Sequence, residues 1–281
     1  MPSELALYDL ASGAVQTVLR TDRLIEAPNW CPDRDCLIVN ADGRLYEVDI
    51  TAPGLVEIDT GFACNLNNDH GVSPDGKTLV ISDQTADGAS AIYTLPRDGG
   101  TPQKITGFVP SYWHGWAPDG ARLAYAGKRK SGVFDIYTIA VEGGDETCLT
   151  AGFQHCDGPD YSPDGDWIWF NGQRADRMQL WRMHPDGSDL EQMTDDAGWN
   201  WFPHPSPDGG HVLFLAYESG TRGHPRDRAV DLRLMPGHGG KPETLLRIFG
   251  GQGSINVPCW SPDGQRFAFV RYHRETGAGQ P

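Results

Sequence analysis

The sequence predicts an all-β protein, a six-bladed β-propeller of four-stranded blades, and three observations carry that prediction. A Pro-Asp pair recurs at Pro32, Pro74, Pro118, Pro163, Pro207 and Pro262, at intervals of 42, 44, 45, 44 and 55 residues, the period of propeller blades. Each pair is followed by a short apolar run: Leu37–Val39, Thr78–Ile81, Leu123–Tyr125, Trp167–Phe170, Val212–Leu215 and Phe267–Val270. A second hairpin then follows in most repeats, often turning at Gly-Gly or Asp-Gly, as at Asp98-Gly99-Gly100 and Glu142-Gly143-Gly144.

The turn at each repeat has a local cause. In Ser-Pro-Asp-Gly the proline presets the backbone of a tight turn, the aspartate hydrogen-bonds back onto the chain, and the glycine takes the left-handed conformation that follows. The clearest copy is Asp160–Phe170, where Ser162-Pro163-Asp164-Gly165 precedes an aromatic strand. The first copy departs from the pattern, with Arg34 at the glycine position, and a different turn is expected there. The fifth carries an insertion from Glu218 to Arg228 that accounts for the 55-residue interval.

The ends of the chain explain each other. Residues 5–19 alternate around Ser12-Gly13 and precede any Pro-Asp copy, so they form a second hairpin without a first. The last copy, from about residue 254 to 271, is a first hairpin without a second. Sharing one blade closes the ring and removes two exposed sheet edges. Residues 1–281 are therefore expected to be a single propeller domain.

Composition narrows the partners. A formal charge of −15 and a pI near 4.9 oppose a broad phosphate-binding face or an anionic membrane surface, so neither nucleic acid nor membrane is expected. No apolar run is long enough to span a bilayer, and the N-terminus lacks the basic and apolar regions of a signal peptide, which predicts a cytoplasmic location. The six cysteines form no CxxC pair and no framework spacing. Reduced thiols are expected, with a local bridge between Cys31 and Cys36, which flank one turn, as the alternative.

The repeated W/Y/V-S-P-D-G followed by an apolar strand resembles the TolB-like, WD40-like (PD40) β-propeller family over the whole chain. The resemblance implies the propeller fold and says little about chemistry. Oligogalacturonate lyases carry similar repeats on a larger, seven-bladed ring and use a histidine-bound metal, which implies acidic saccharides as a ligand class to consider.

The unusual residues gather before each copy, on inner strands that converge on the axis. Four residues before the Pro-Asp pair stands proline in four blades, but His70 and His114 in blades 2 and 3. Six before it stand Glu26, Asn68, Tyr112, Asp157, Trp201 and Asn256, with Asp69 and Trp113 between these rings and His155 and Trp199 further back. His70 and His114, at equivalent positions of adjacent blades, are candidate ligands for a divalent metal (Mn, Zn or Fe), with His155 or Asp157 as a third. The competing reading has them hydrogen-bonding neighbouring strands. Tyr112, His155 and Asp157 are candidate acid–base groups. Trp113, Trp199 and Trp201 are candidate stacking platforms or else inter-blade packing. Glu26, Asp69 and Asn256 are candidate polar contacts.

Ten lysines and arginines lie in loops of the same face, among them Lys128, Arg129, Lys130, Arg174, Arg271 and Arg274. Arg174 and Arg271 are candidate contacts for an anionic ligand. Two functions follow from the sequence. One is a ligand-binding propeller for an acidic saccharide or other small anion, extending to a lyase-type enzyme. The other is a non-catalytic protein-interaction scaffold.

Overall fold

A computed structural model describes residues 1–273, and these form six sheets in a ring. Five blades have four antiparallel strands each, in simple sequential order. Their first strands are Glu26–Trp30, Leu66–Val72, Ser111–Trp116, His155–Tyr161 and Trp199–Pro205. These strands pack on one another around the axis. The sixth blade is made from both ends of the chain. Arg266–Tyr272 pairs with Ser3–Asp9, which pairs with Val15–Thr21. Residues 255–260 occupy its innermost position, held by a Trp260–Phe267 bridge and by the Ala268 amide, which donates to the Cys259 carbonyl at 2.9 Å.

Burial explains why the second strand of each blade reads as a continuous apolar run. Along Thr78–Asp83, Leu79 and Ile81 pack against blade 1 with Ile38 and Leu45, while Val80 packs against blade 3 with Trp113 and Leu123. Both faces of the sheet are covered, so strict alternation of apolar and polar residues is lost.

The repeat turn has the chemistry its sequence predicts. In blade 2 the Ser73 hydroxyl donates to Asp75 at 2.7 Å and accepts the Thr78 amide at 2.9 Å, while Gly76 adopts φ +75°. The same serine-to-amide link, five residues apart, recurs at Ser162–Trp167, Ser206–His211 and Ser261–Arg266. Blade 1 has Cys31 at the serine position and Cys36 five residues on, and the two are joined by a disulfide. A covalent bond thus stands where four other blades use a serine hydrogen bond, blade 3 having Ala117 at that position, and it accompanies the replacement of the turn glycine by Arg34. This corrects the expectation of reduced thiols for that pair. Cys64, Cys148, Cys156 and Cys259 are free. Buried Arg97 brings one guanidinium nitrogen within 3.3 Å of both bridged sulfurs and pairs with Glu47.

Ring closure is fixed by charge as well as by strand pairing. Glu4 lies opposite Arg20 on one neighbouring strand and Arg271 on the other. Its fully buried carboxylate accepts from Arg271 at 2.7 Å and from Thr17 at 2.6 Å, with His273 at 2.8 Å. Burial alone would raise the Glu4 pKa, but the hydrogen bonds from Arg271, Thr17 and His273 prevail and hold it at about 2. Among the described residues no helix is long and apolar enough to cross a membrane.

Glu4→Ala leaves Arg271 facing a hole, and it should lower unfolding stability by about 3 kcal/mol in urea titrations. Because the folded pKa is depressed, the stabilisation is complete above the unfolded value of 4.5 and declines as pH falls toward 2. The gap between wild type and variant should therefore narrow in acid. An equal gap at neutral pH and near pH 2 would show that Glu4 acts by packing alone.

Candidate functional site at the channel mouth

The inner strands are bulged, and the bulges decide which side chains reach the axis. Register shifts fall between Glu26 and Asn29, Leu66 and His70, Trp113 and Gly115, Asp157 and Asp160, and Trp201 and His204. In blades 1, 4 and 5 the bulge contains a residue of positive φ, Ala27 (56°), Gly158 (58°) and Phe202 (54°), each followed by proline. A bulge of this kind re-aims the side chains beside it. At Gly158 any side chain would collide with Asn171 and Phe202, the added carbon lying 2.8 Å from the Asn171 oxygen.

The result is a cavity of about 260 Å³ at one mouth of the channel. Asp69, Tyr112, His114, His155, Asp157 and Asn256 line it, joined by Phe134, His224 and Gln252. Asp157 is its centre. His114 Nε2 is 3.0 Å from Asp157 Oδ1, His155 Nε2 is 3.6 Å from Oδ2, and His224 Nε2 is 3.5 Å from Oδ2. Three imidazoles from blades 3, 4 and 5 therefore face one carboxylate.

The protonation states follow from these contacts. His114 Nδ1 faces the Asn256 carbonyl at 3.3 Å while its Nε2 faces Asp157, so both nitrogens meet acceptors and the ring is best satisfied as an imidazolium. Burial opposes that charge, but the Asp157 hydrogen bond and charge overcome it, and the His114 pKa is raised. Burial likewise pushes Asp157 up, yet the hydrogen bond from His114 and the neighbouring His155 and His224 rings hold it well below the usual carboxylate range. Asp69, fully buried 4.0 Å from His114 Nε2, is lifted to about 6 by burial, only partly offset by His114 and by the amide donated from Asn256. His224 is lowered by burial and stays neutral more readily. Burial, with Asp69 and Asp157 nearby, raises the Tyr112 phenol.

The cavity thus assembles six of the expected residues: Tyr112, His114, His155, Asp157, Asp69 and Asn256. His70 does not join them. It is paired in the ladder with Ile81, its Nε2 lies 3.2 Å from the Ile38 carbonyl, and burial lowers its pKa to about 4. His114 falls inside its bulge instead, skipped by the ladder between Trp113 and Gly115. The expected His70–His114 metal pair is not assembled, and among the described residues no three histidine, cysteine or carboxylate side chains have the arrangement of a metal site.

The tryptophans pack rather than offer free faces. Trp113 is fully buried across Gly71, where an added Cβ would lie 2.2 Å from the indole. Trp201, 1% exposed, backs His155 and His224 with ring centroids at 5.7 and 4.6 Å. Trp199 packs against the cluster between blades 5 and 6. Glu26 contacts the Tyr272 hydroxyl at 3.4 Å, and burial raises its pKa. The two arginines are spent elsewhere, Arg271 on Glu4 and Arg174 stacked over Phe153 and Trp181 at 4.1 and 4.6 Å. Among the described residues no lysine or arginine lines the cavity, and Arg274 lies outside the described residues.

Sequence reasoning missed His224, Gln252 and Phe134. His224 comes from the blade 5 insertion, which is pinned where the Tyr217 hydroxyl donates to the Pro225 carbonyl at 2.9 Å and where Pro225 passes over Gly251. An added Cβ on Gly251 would meet that carbonyl at 2.3 Å. The signal was the insertion itself, a histidine in a long loop on the face that carries the site.

Residues 112–229 match the family profile described as the TolB beta propeller domain, PD40. The uncharacterized protein Atu1656 of Agrobacterium fabrum is 50% identical over 273 residues, covering 97% of this chain and 93% of its own. A solved structure from Agrobacterium tumefaciens, provisionally assigned as TolB, superposes with a TM-score of 0.95 at 49% identity, covering 98% of this chain and 99% of its own. An oligogalacturonate lyase in complex with manganese shares the fold at a TM-score of 0.58 and 14% identity, covering 98% of each chain.

Asp157→Asn removes the charge that favours the His114 imidazolium, so the His114 pKa should fall, as read from imidazole resonances in an NMR titration. The contribution of His114 to stability is present below the unfolded value of 6.5 and is lost as pH rises through the raised folded value. An unchanged His114 titration in the variant would show that Asp157 is not its controlling partner.

Proposed function

Since the chain belongs to the TolB-like (PD40) β-propeller family, whose fold leaves the channel mouth free to vary, we propose that this mouth binds a small hydroxylated anion, such as an acidic saccharide unit, and acts on it by proton transfer. The observation that carries the reading is the convergence of three imidazoles on Asp157 beside a buried Asp69. Groups whose environments push their pKa values apart are the parts of an acid–base site.

The roles follow from the charge states. His114, held as a cation by Asp157 with both ring N–H groups committed to Asp157 and the Asn256 carbonyl, supplies positive potential rather than a free hydrogen bond to a ligand carboxylate, in a cavity that among the described residues has no lysine or arginine. Asp69 carries a proton below about pH 6 and then donates a hydrogen bond to the ligand. His224, kept neutral by burial, suits the base that removes a proton adjacent to the ligand carboxylate, and the Tyr112 phenol suits proton delivery to a leaving oxygen. The structural likeness to an oligogalacturonate lyase is a likeness of fold. It suggests uronates as the first ligands to try.

Affinity for an oligogalacturonate, measured by calorimetry, should rise as pH falls through about 6, because protonating Asp69 removes a negative charge while the uronate stays ionised. His114→Ala should weaken binding by about tenfold or more. His224→Ala should slow formation of an unsaturated product by about a hundredfold with little change in affinity. No binding across a panel of uronates and sugar acids at any of these pH values would overturn the reading.

A further inference from the structure

A larger cavity lies away from the channel, in a groove of about 1090 Å³ between the outer parts of blades 3 and 4. Its walls carry Phe108, Val109, Val133 and Phe153, with Lys128 and Lys130 on the rim. Phe108 is 63% exposed and Val109 36%, two of the few large apolar side chains left in solvent. Exposed apolar surface beside a polar rim marks interaction sites.

The floor of this groove is held rigid by Arg129. Its guanidinium bonds Glu146 through Nε at 2.7 Å and Nη2 at 2.8 Å, the Pro110 carbonyl at 2.7 Å and the Ser111 hydroxyl at 2.8 Å. It also lies 5.8 Å from the centre of the Phe108 ring and 5.0 Å from that of Tyr137. The acidic groups of the groove are likewise committed. Glu146 is matched by Arg129 and by the Tyr125 hydroxyl at 2.6 Å, and Asp135 accepts from Ser131 at 2.9 Å and Thr150 at 3.0 Å. Lys128 and Lys130 are exposed and, among the described residues, have no ion-pair partner. Lys128-Arg129-Lys130 is the only run of three consecutive basic residues in a chain of formal charge −15.

We propose that this groove docks an extended acidic peptide segment of a partner protein, an apolar side chain seated against Phe108 and Phe153 and flanking carboxylates on Lys128 and Lys130. The charge pattern selects the occupant. On a chain of formal charge −15, two unpaired lysines beside an apolar trough attract a segment carrying both features. The volume exceeds the roughly 300–1,000 Å³ usual for small-molecule sites and suits a run of several residues. The groove shares no lining residue with the channel-mouth cavity, so this inference is tested apart from the proposed chemistry there.

The test is selection of a random peptide display library on the full chain, followed by affinity measurement by fluorescence polarisation on the enriched peptides. Enrichment of peptides with an aromatic or aliphatic residue flanked by Asp or Glu is expected. Their affinity should fall about tenfold or more in Lys128→Glu/Lys130→Glu, fall likewise in Phe108→Ser, weaken with added salt, and stay unchanged in Asp157→Asn. All three substituted groove side chains are exposed, so the melting temperature of these variants should match wild type. No enrichment, enrichment of basic or uncharged peptides, or peptides that bind the groove variants as well as wild type would each overturn the proposal.

Discussion

The ring exists because its last sheet is stitched from both ends of the chain. Ser3–Asp9 lies between Arg266–Tyr272 and Val15–Thr21, and without it two blade edges would face each other unpaired. The buried carboxylate of Glu4 sits at the seam with an arginine on either flanking strand. Everything at the channel mouth is downstream of this closure. His114, His155 and His224 come from three different blades, and they meet at one carboxylate only while the ring holds its inner strands in place.

The fold was legible because its signal is local and repeated. Proline, aspartate and glycine act within one turn, and five of the six turns keep a glycine at the position that takes positive φ. Even the exception was visible: Arg34 announced a different turn, and the structure shows a disulfide doing what a serine hydroxyl does in four other blades. The cysteine spacing alone could not choose between free thiols and a bridge, because that choice depends on how the two strands leaving the turn face each other.

The site was legible in part, and its errors share a cause. His70 and His114 occupy equivalent positions in sequence, but the bulge of blade 2 leaves His70 in the ladder while that of blade 3 sets His114 outside it. A one-residue difference in register sends a strand side chain to the opposite face, and no count of residues back from Pro-Asp records where the slip occurs. The arginines misled for another reason. Arg271 and Arg174 lie on the expected face of the chain, but each had a nearer partner in Glu4 or in a pair of aromatic rings.

The histidine supplied by the blade 5 insertion separates the scaffold from part of its chemistry. The loop from Glu218 to Arg228 leaves and re-enters at adjacent strands of one blade, anchored at its entry by Tyr217 and, through Pro225, over Gly251 just after the blade's last strand. Exchanging this loop would leave the strand order of the ring intact and alter only what packs on the inner strands from above, where His224 now meets Trp201 and Phe202. A relative with a shorter or differently composed connection would keep the His114–Asp157 pair yet present an altered pocket. In this architecture the ring is the inherited frame, and a single transplantable loop is a place where new specificities can be written.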